Sequence, residues 1–294
     1  MEFFSGGAMN PILLHANYFE QGQSVERACQ LAREMGADGI EFRRQPPKHT
    51  GTDLQYLDVV SRALDKYPLA WVSIGGPGVD LMGDDGEMRA KEIERAENFF
   101  RKAASRFRLN VVNTFAGSLR HADSSLPYLE YWHHGSAIAT CEQWSNAVEG
   151  FQHLGAVAGE LGFRLAFETH GVYLHDTLKA SLDLVRKVNS PHVGLLWDQA
   201  NLLIFPEHPS FDEVIDTVGP DLFAVHVKNL LVPPQQFLAV SALSQGILNI
   251  RDQVARLLKA GYDGPFCLEA PRDGDREHFA REDFTYFRSV LTNA

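Results

Sequence analysis

The chain has 294 residues, 45% of them hydrophobic and 22% charged, a balance that supports a large apolar core and argues against disorder over most of its length. A formal net charge of −11 argues against a protein whose main task is to neutralise phosphate backbones, so no nucleic acid partner is expected. Cys29, Cys141 and Cys267 stand far apart with no C-x-x-C pair, which excludes a disulfide framework or zinc knuckle and fits reduced thiols.

No apolar run approaches the ~20 residues of a membrane span, and the N-terminus lacks a basic region followed by an apolar signal core. A cytoplasmic protein with no membrane partner is expected. Met1 to Ala8 precede a second methionine, Met9, and are set apart as a disordered or appended segment. Length alone allows two domains, but a barrel of alternating strands and helices takes ~250 residues as one, and 9–294 are read as a single domain.

From Pro11 the pattern is strand, then helix, repeated. Ile12 to Tyr18 reads as a strand, and Ser24 opens a helix that Gly36 ends. Gly39 to Arg43 is the second strand, followed by a helix from Thr52 to Lys66. Leu69 to Ile74 is the third, running into Gly75-Gly-Pro-Gly78, which lacks the spacing of a dinucleotide fingerprint. A charge-rich helix from Glu87 to Arg106 leads to the fourth strand, Val111 to Phe115. The segment from Ser118 to Ala139 carries Pro127, Tyr128, Tyr131, Trp132, His133 and His134, and its aromatics favour an ordered lid. His133 and His134 are expected to be solvated.

A helix from Thr140 to Leu161 precedes Arg164-Leu-Ala-Phe-Glu-Thr-His170, an apolar strand that ends in a carboxylate and an imidazole. Three later stretches repeat that form: Val193 to Asp198, Leu222 to His226 and Pro265 to Glu269. Helices are expected over Thr177 to Val188, Ser210 to Val218, Ile247 to Ala260 and Arg281 to Leu291. Strand–helix units of ~30 residues imply a parallel sheet. Eight of them imply closure into a (β/α)8 TIM barrel, whose site lies at the C-terminal strand ends.

Glu168, Asp198, His226 and Glu269 would then converge at one mouth. A single carboxylate at a strand end is usually a cap or an ion-pair partner, but four polar ends on four consecutive strands form a set. Three carboxylates with one imidazole suit one divalent ion, manganese foremost, with magnesium, cobalt or zinc also admitted.

The motifs ETH at the fifth strand, WDQAN at the sixth, HVKN at the seventh and GPFCLE at the eighth resemble the xylose isomerase-like superfamily of sugar isomerases and epimerases. The resemblance runs from about Pro11 to Leu291. It implies that Glu168, Asp198, His226 and Glu269 hold the metal, that Glu168 and Glu269 are also the acid/base pair, and that the chain forms a homo-oligomer, a dimer or tetramer. Two positions depart from it. Asn201 stands where many relatives have a histidine, and Val232 where ketose 3-epimerases have an arginine. The trinuclear zinc site of the endonuclease branch is not expected, since Gly75, Gly76 and Asn113 occupy positions where it needs histidines.

His170, Asn201, Lys228, Asn113, Glu41, His15 and Trp132 are candidates to line a substrate pocket. His170 shares strand parity with Glu168, and Lys228 with His226, so Lys228 is placed to neutralise an enolate, carboxylate or phosphate. Trp71 and Trp197 are read as core, or as an apolar wall for a sugar ring. The chemistry implied is proton abstraction next to a carbonyl of a small sugar or keto-polyol. Isomerisation or epimerisation is the first expectation, and dehydration of a keto-inositol or dehydroshikimate-like acid the alternative. A metal-retaining, non-catalytic sugar-binding barrel is the third.

Overall fold

Short apolar segments alternating with amphipathic helices can bury both faces of a sheet only if the helices wrap it. The computed structural model describes residues 10–44, 51–127, 130–203, 211–231 and 239–294. The N-terminal segment set apart above, Tyr128 and Val232 fall outside them. Along the chain run β1 (Ile12–His15), α1 (Val25–Met35), β2 (Gly39–Phe42), α2 (Asp53–Lys66), β3 (Trp71–Gly75), α3 (Gly86–Ala104) and β4 (Val111–Thr114). They are followed by α4 (Cys141–Leu161), β5 (Arg164–Glu168), α5 (Leu178–Val188), β6 (Val193–Asp198), α6 (Gln199–Leu202), α7 (Phe211–Val218) and β7 (Leu222–Val227). β8 (Asn229–Leu231), β9 (Ala239–Ser241), α8 (Ile250–Lys259), β10 (Phe266–Leu268) and α9 (Arg276–Thr292) complete the chain.

Eight strands close in the order β1-β10-β7-β6-β5-β4-β3-β2, every pair parallel, so the expected (β/α)8 barrel forms. β8 and β9 make an antiparallel hairpin outside it that the sequence pattern did not suggest. Among the described residues, no helix is long and apolar enough to cross a membrane.

The helix starts follow side-chain capping. Ser24, Thr52, Thr140, Thr177 and Asn249 each accept from a backbone N–H of the first turn, and Thr52 and Thr140 complete capping boxes with Gln55 and Gln143. Asp275 caps α9 by accepting from His278 N, so this helix begins well before the expected Arg281. β1 ends at His15 rather than Tyr18, because the next residues turn into a 3₁₀ segment in which Asn17 N donates to His15 Nδ1.

Outward-facing strand residues and inward helix faces form one large core that includes Leu14, Ile40, Phe100, Phe151, Phe167, Trp197 and Phe287. Trp197 therefore serves as core. A second, small cluster contains Val111, Ala166, Leu196, Phe223 and Ala224, with Trp71 packed against it. Val111, Ala166, Leu196 and Ala224 each lie two residues before Asn113, Glu168, Asp198 and His226, on the same strand faces. The polar strand ends thus stand on a dry apolar floor, where charge–charge interactions are stronger than in water.

Candidate active site

Parallel register sets the polar strand ends side by side: His15 is level with Glu41, Asp198 with His226, and His226 with Cys267. One ligand atom from each of Glu168, Asp198, His226 and Glu269 can be chosen so that all four lie within 4.8 Å of one another. The set expected to converge does so. A surface cleft of about 740 Å³ lies elsewhere, on the outer wall where Trp144 on α4 meets Lys179 on α5.

Each of these side chains is held by its own partners. Glu168 Oε1 accepts from Asn201 Nδ2 at 3.0 Å, and Oε2 from Asn113 Nδ2 at 3.1 Å. Asn201 also donates to Thr169 O, and its backbone N–H reaches Asp198 Oδ1 at 3.0 Å. Glu269 Oε1 accepts from Asn17 Nδ2 at 3.0 Å. Lys228 Nζ stands 2.8 Å from Asp198 Oδ2 and 3.0 Å from Glu269 Oε2. His226 Nδ1 is 3.0 Å from Glu269 Oε2 and 3.5 Å from Glu168 Oε1.

These close ion pairs lack hydrogen-bond geometry: Asp198 Oδ2, His226 Nδ1 and Glu269 Oε2 are buried with no hydrogen-bond partner among the described residues. Buried polar atoms are rarely left so. Converging oxygens and one nitrogen, backed by amides and facing one another across close ion pairs, suit a divalent cation.

Burial penalises every charge here, and the neighbours decide the outcome. Burial raises the Glu168 carboxyl, yet the His226 charge outweighs it and brings the group down to about 2. Glu269 is likewise held well below the usual range against burial, by Lys228, His15 and His226. Asp198 goes the other way: burial, helped by the charges of Glu168 and Glu269, raises it despite Lys228. Burial disfavours a charged His226, but Glu41, Glu168 and Glu269 hold it protonated well above its usual range. Lys228 is raised in the same sense by Asp198 and Glu269 against burial.

The remaining candidates divide. His15 is buried, 3.8 Å from Glu269 Oε1 and edge-on to the His226 ring. Glu41 is buried behind His226, with Oε2 3.1 Å from Nε2. Asn113, Asn201 and Lys228 join the cluster directly. β5 ends at Glu168, and Thr169 continues the bonding to β6, its N–H donating to Leu196 O and its hydroxyl accepting from Asp198 N. His170 follows that strand end, close enough to interact electrostatically with Glu168. Its Nδ1 lies 3.0 Å from Gly171 O, and its ring stands edge-on to Phe115 and Tyr173. Trp132 is 53% exposed beside His133, apart from the ligand cluster.

The loop bearing Trp132 is ordered where described. Leu119 N donates to Val172 O, Gly135 N to Leu119 O, and Ser136 N to Asp176 Oδ2. A Cβ on Gly135, at φ +58°, would meet Asp176 Oδ2 at 1.9 Å, so only glycine fits. His134 is buried, against expectation, because its Nδ1 accepts from His121 N.

Two contributors escaped the sequence reading. Asn17 lies two residues beyond the first strand end, a polar position of the kind weighed on other strands. His175 gives no local signal. It is buried, its Nδ1 2.6 Å from Glu168 O and its Nε2 accepting from Ala116 N, and so ties the β4 loop to the end of β5.

The closed parallel barrel is a TIM barrel, and the three carboxylates and one histidine gathered at its mouth form a group that could hold a metal ion. The chain belongs to the xylose isomerase-like TIM barrel family, whose model matches residues 29–290. Inosose dehydratase from Bacillus thuringiensis (strain Al Hakam) is 25% identical over 153 residues, which cover 46% of this chain and 50% of the relative. The aligned stretch thus spans about half the length of that curated relative. D-psicose 3-epimerase from Clostridium cellulolyticum H10, solved with D-tagatose, superposes with a TM-score of 0.74 at 16% identity, over 96% of this chain and 99% of that one. A xylose isomerase-like TIM barrel protein from Mycobacterium smegmatis, solved in complex with magnesium, superposes at 0.72 with 24% identity, over 97% of each chain. At these identities the structural likenesses establish the fold.

Proposed function

We propose that this chain is a divalent-metal-dependent isomerase or epimerase of a sugar or sugar phosphate. The observation that carries the reading is the convergence of Glu168, Asp198, His226 and Glu269, three of whose converging atoms have no hydrogen-bond partner among the described residues. A divalent cation held there would supply the Lewis acidity that makes a C–H next to a carbonyl removable.

The chain's own residues supply the proton transfers. Glu168, kept ionised and oriented by the Asn113 and Asn201 amides, is the base at neutral pH. Glu269, held by Asn17, is its counterpart. The Lys228 ammonium is positioned to neutralise an oxygen that gains charge as the proton leaves. Return of the proton to the opposite face gives epimerisation, and its return to the neighbouring carbon gives isomerisation.

The likeness to inosose dehydratase favours one second reading, the loss of a β-hydroxyl as water from a keto-inositol or related acid. Metal analysis coupled to a solvent-deuterium exchange screen over ketoses, their phosphates and keto-inositols tests both. Exchange at a carbon next to the carbonyl supports the first, and a product lighter by one water supports the second. A protein that binds no divalent ion and catalyses neither reaction would overturn the assignment.

A further inference from the structure

The side of His226 that faces away from the ligand cluster is as closely built as the cluster itself. Glu41, at the end of β2, is 3% exposed. Its Oε2 lies 3.1 Å from His226 Nε2, and its Oε1 accepts from Asn113 Nδ2 at 3.3 Å. Both oxygens are therefore engaged by protein, and Glu41 is no longer available to line a substrate pocket.

His226 stands protonated among three carboxylates, but as a ligand an imidazole is neutral with one N–H, and which nitrogen keeps it is set by what the other side of the ring meets. An ionised carboxylate can only accept, so Nε2 must be the donor. The proton given up to a cation is then the one at Nδ1, on the side where Glu168 and Glu269 stand at 3.5 and 3.0 Å. The same Asn113 amide bonds both Glu41 and Glu168, coupling the group behind the histidine to a carboxylate in front of it. Cys267 also lies close enough to make a three-residue group with Glu41 and His226. Burial holds its thiol protonated, however, so it adds no charged ligand.

We propose that Glu41 is a positioning residue: by accepting from His226 Nε2 it fixes the tautomer and ring orientation that present Nδ1 to a divalent cation. The inference rests on the metal-site reading above. Outer partners of this kind typically change metal affinity 10–100-fold.

The test is a titration with Co²⁺, followed by its visible absorption, on metal-stripped wild type, Glu41→Gln, His226→Ala and the double variant. Thermal unfolding of each serves as the folding control. Glu41→Gln is expected to weaken binding about 10–100-fold and to alter the Co²⁺ spectrum. The double variant is expected to bind no more weakly than His226→Ala, because Glu41 acts through the imidazole. If His226→Ala loses affinity while Glu41→Gln keeps it, or if the Glu41 effect persists in full without His226, the positioning role is overturned. If His226→Ala binds as wild type does, the metal-site reading fails as well. Should Glu41→Gln not fold, Glu41→Asp keeps the buried charge but shortens its reach, and wild-type affinity and spectrum in that variant would equally refute the role.

Discussion

Replacing Glu168 with glutamine keeps the length of the side chain while removing its charge and one of its two acceptor oxygens. The carboxylate now accepts from two amides, Asn201 Nδ2 at 3.0 Å and Asn113 Nδ2 at 3.1 Å. A glutamine can accept from only one and sets an N–H against the other. Neither asparagine can turn over to relieve this. Asn201 Nδ2 is also bound to Thr169 O, and Asn113 Nδ2 to Glu41 Oε1, so a turned amide would place oxygen against oxygen. One buried donor left unsatisfied costs about 1–3 kcal/mol, which thermal unfolding would read as a modest drop with the fold retained. The chemical loss is larger, because an amide cannot take a proton at neutral pH. Loss of a positioned acid/base group lowers rates by about 10²–10⁴. The assay is deuterium incorporation next to the carbonyl of a turned-over ketose, by NMR, with divalent metal in excess so that weaker binding does not masquerade as lost chemistry. A folded, metal-saturated Glu168→Gln protein that exchanges at the wild-type rate would refute the two-carboxylate mechanism.

Lys228→Met leaves Asp198 and Glu269 buried without their ammonium, and breaking such a pair costs about 3–5 kcal/mol. Thermal unfolding should show a large loss in metal-free protein that added Mn²⁺ partly recovers, and an unchanged metal-free midpoint would count against it. Asn17→Ala removes the amide on Glu269 Oε1, a bond to a charged group worth about 1.5–3 kcal/mol, so deuterium exchange should slow by roughly 10–100-fold. An unchanged rate would show that Glu269 needs no holder. Burial lowers His175 from 6.5 to about 4, so the folded protein binds fewer protons than the unfolded chain between those values. Its contribution is present above pH 6.5 and is lost as pH falls toward 4, on the order of 3 kcal/mol in all. Denaturant unfolding across that window should give a flatter profile for His175→Gln than for wild type, and parallel profiles would contradict the assignment.

Much of the site is written locally. Strand direction alternates with a period of two, so an apolar run closing on Glu168, Asp198, His226 or Glu269 already states where those side chains point once the strands are parallel. Helix starts were legible wherever a hydroxyl or amide preceded the first turn, as at Ser24, Thr52 and Thr140. The start of α9 was missed because its cap, Asp275, lies among other polar residues that carry no apolar period.

What the chain could not state alone is which partner stands behind each ligand. Closure brings β1 against β10 and so lays Asn17 on Glu269 across the full length of the sequence. The end of β2 reaches the end of β7, laying Glu41 against His226. His170, just past the end of β5, came to stand edge-on to Phe115 and Tyr173. The sequence by itself determined the alternating elements and the four polar strand ends, since both follow from local periodicity. Only the tertiary structure decided which amide, imidazole or ammonium meets each carboxylate, because those contacts depend on barrel closure and on inter-strand register, which no local pattern encodes.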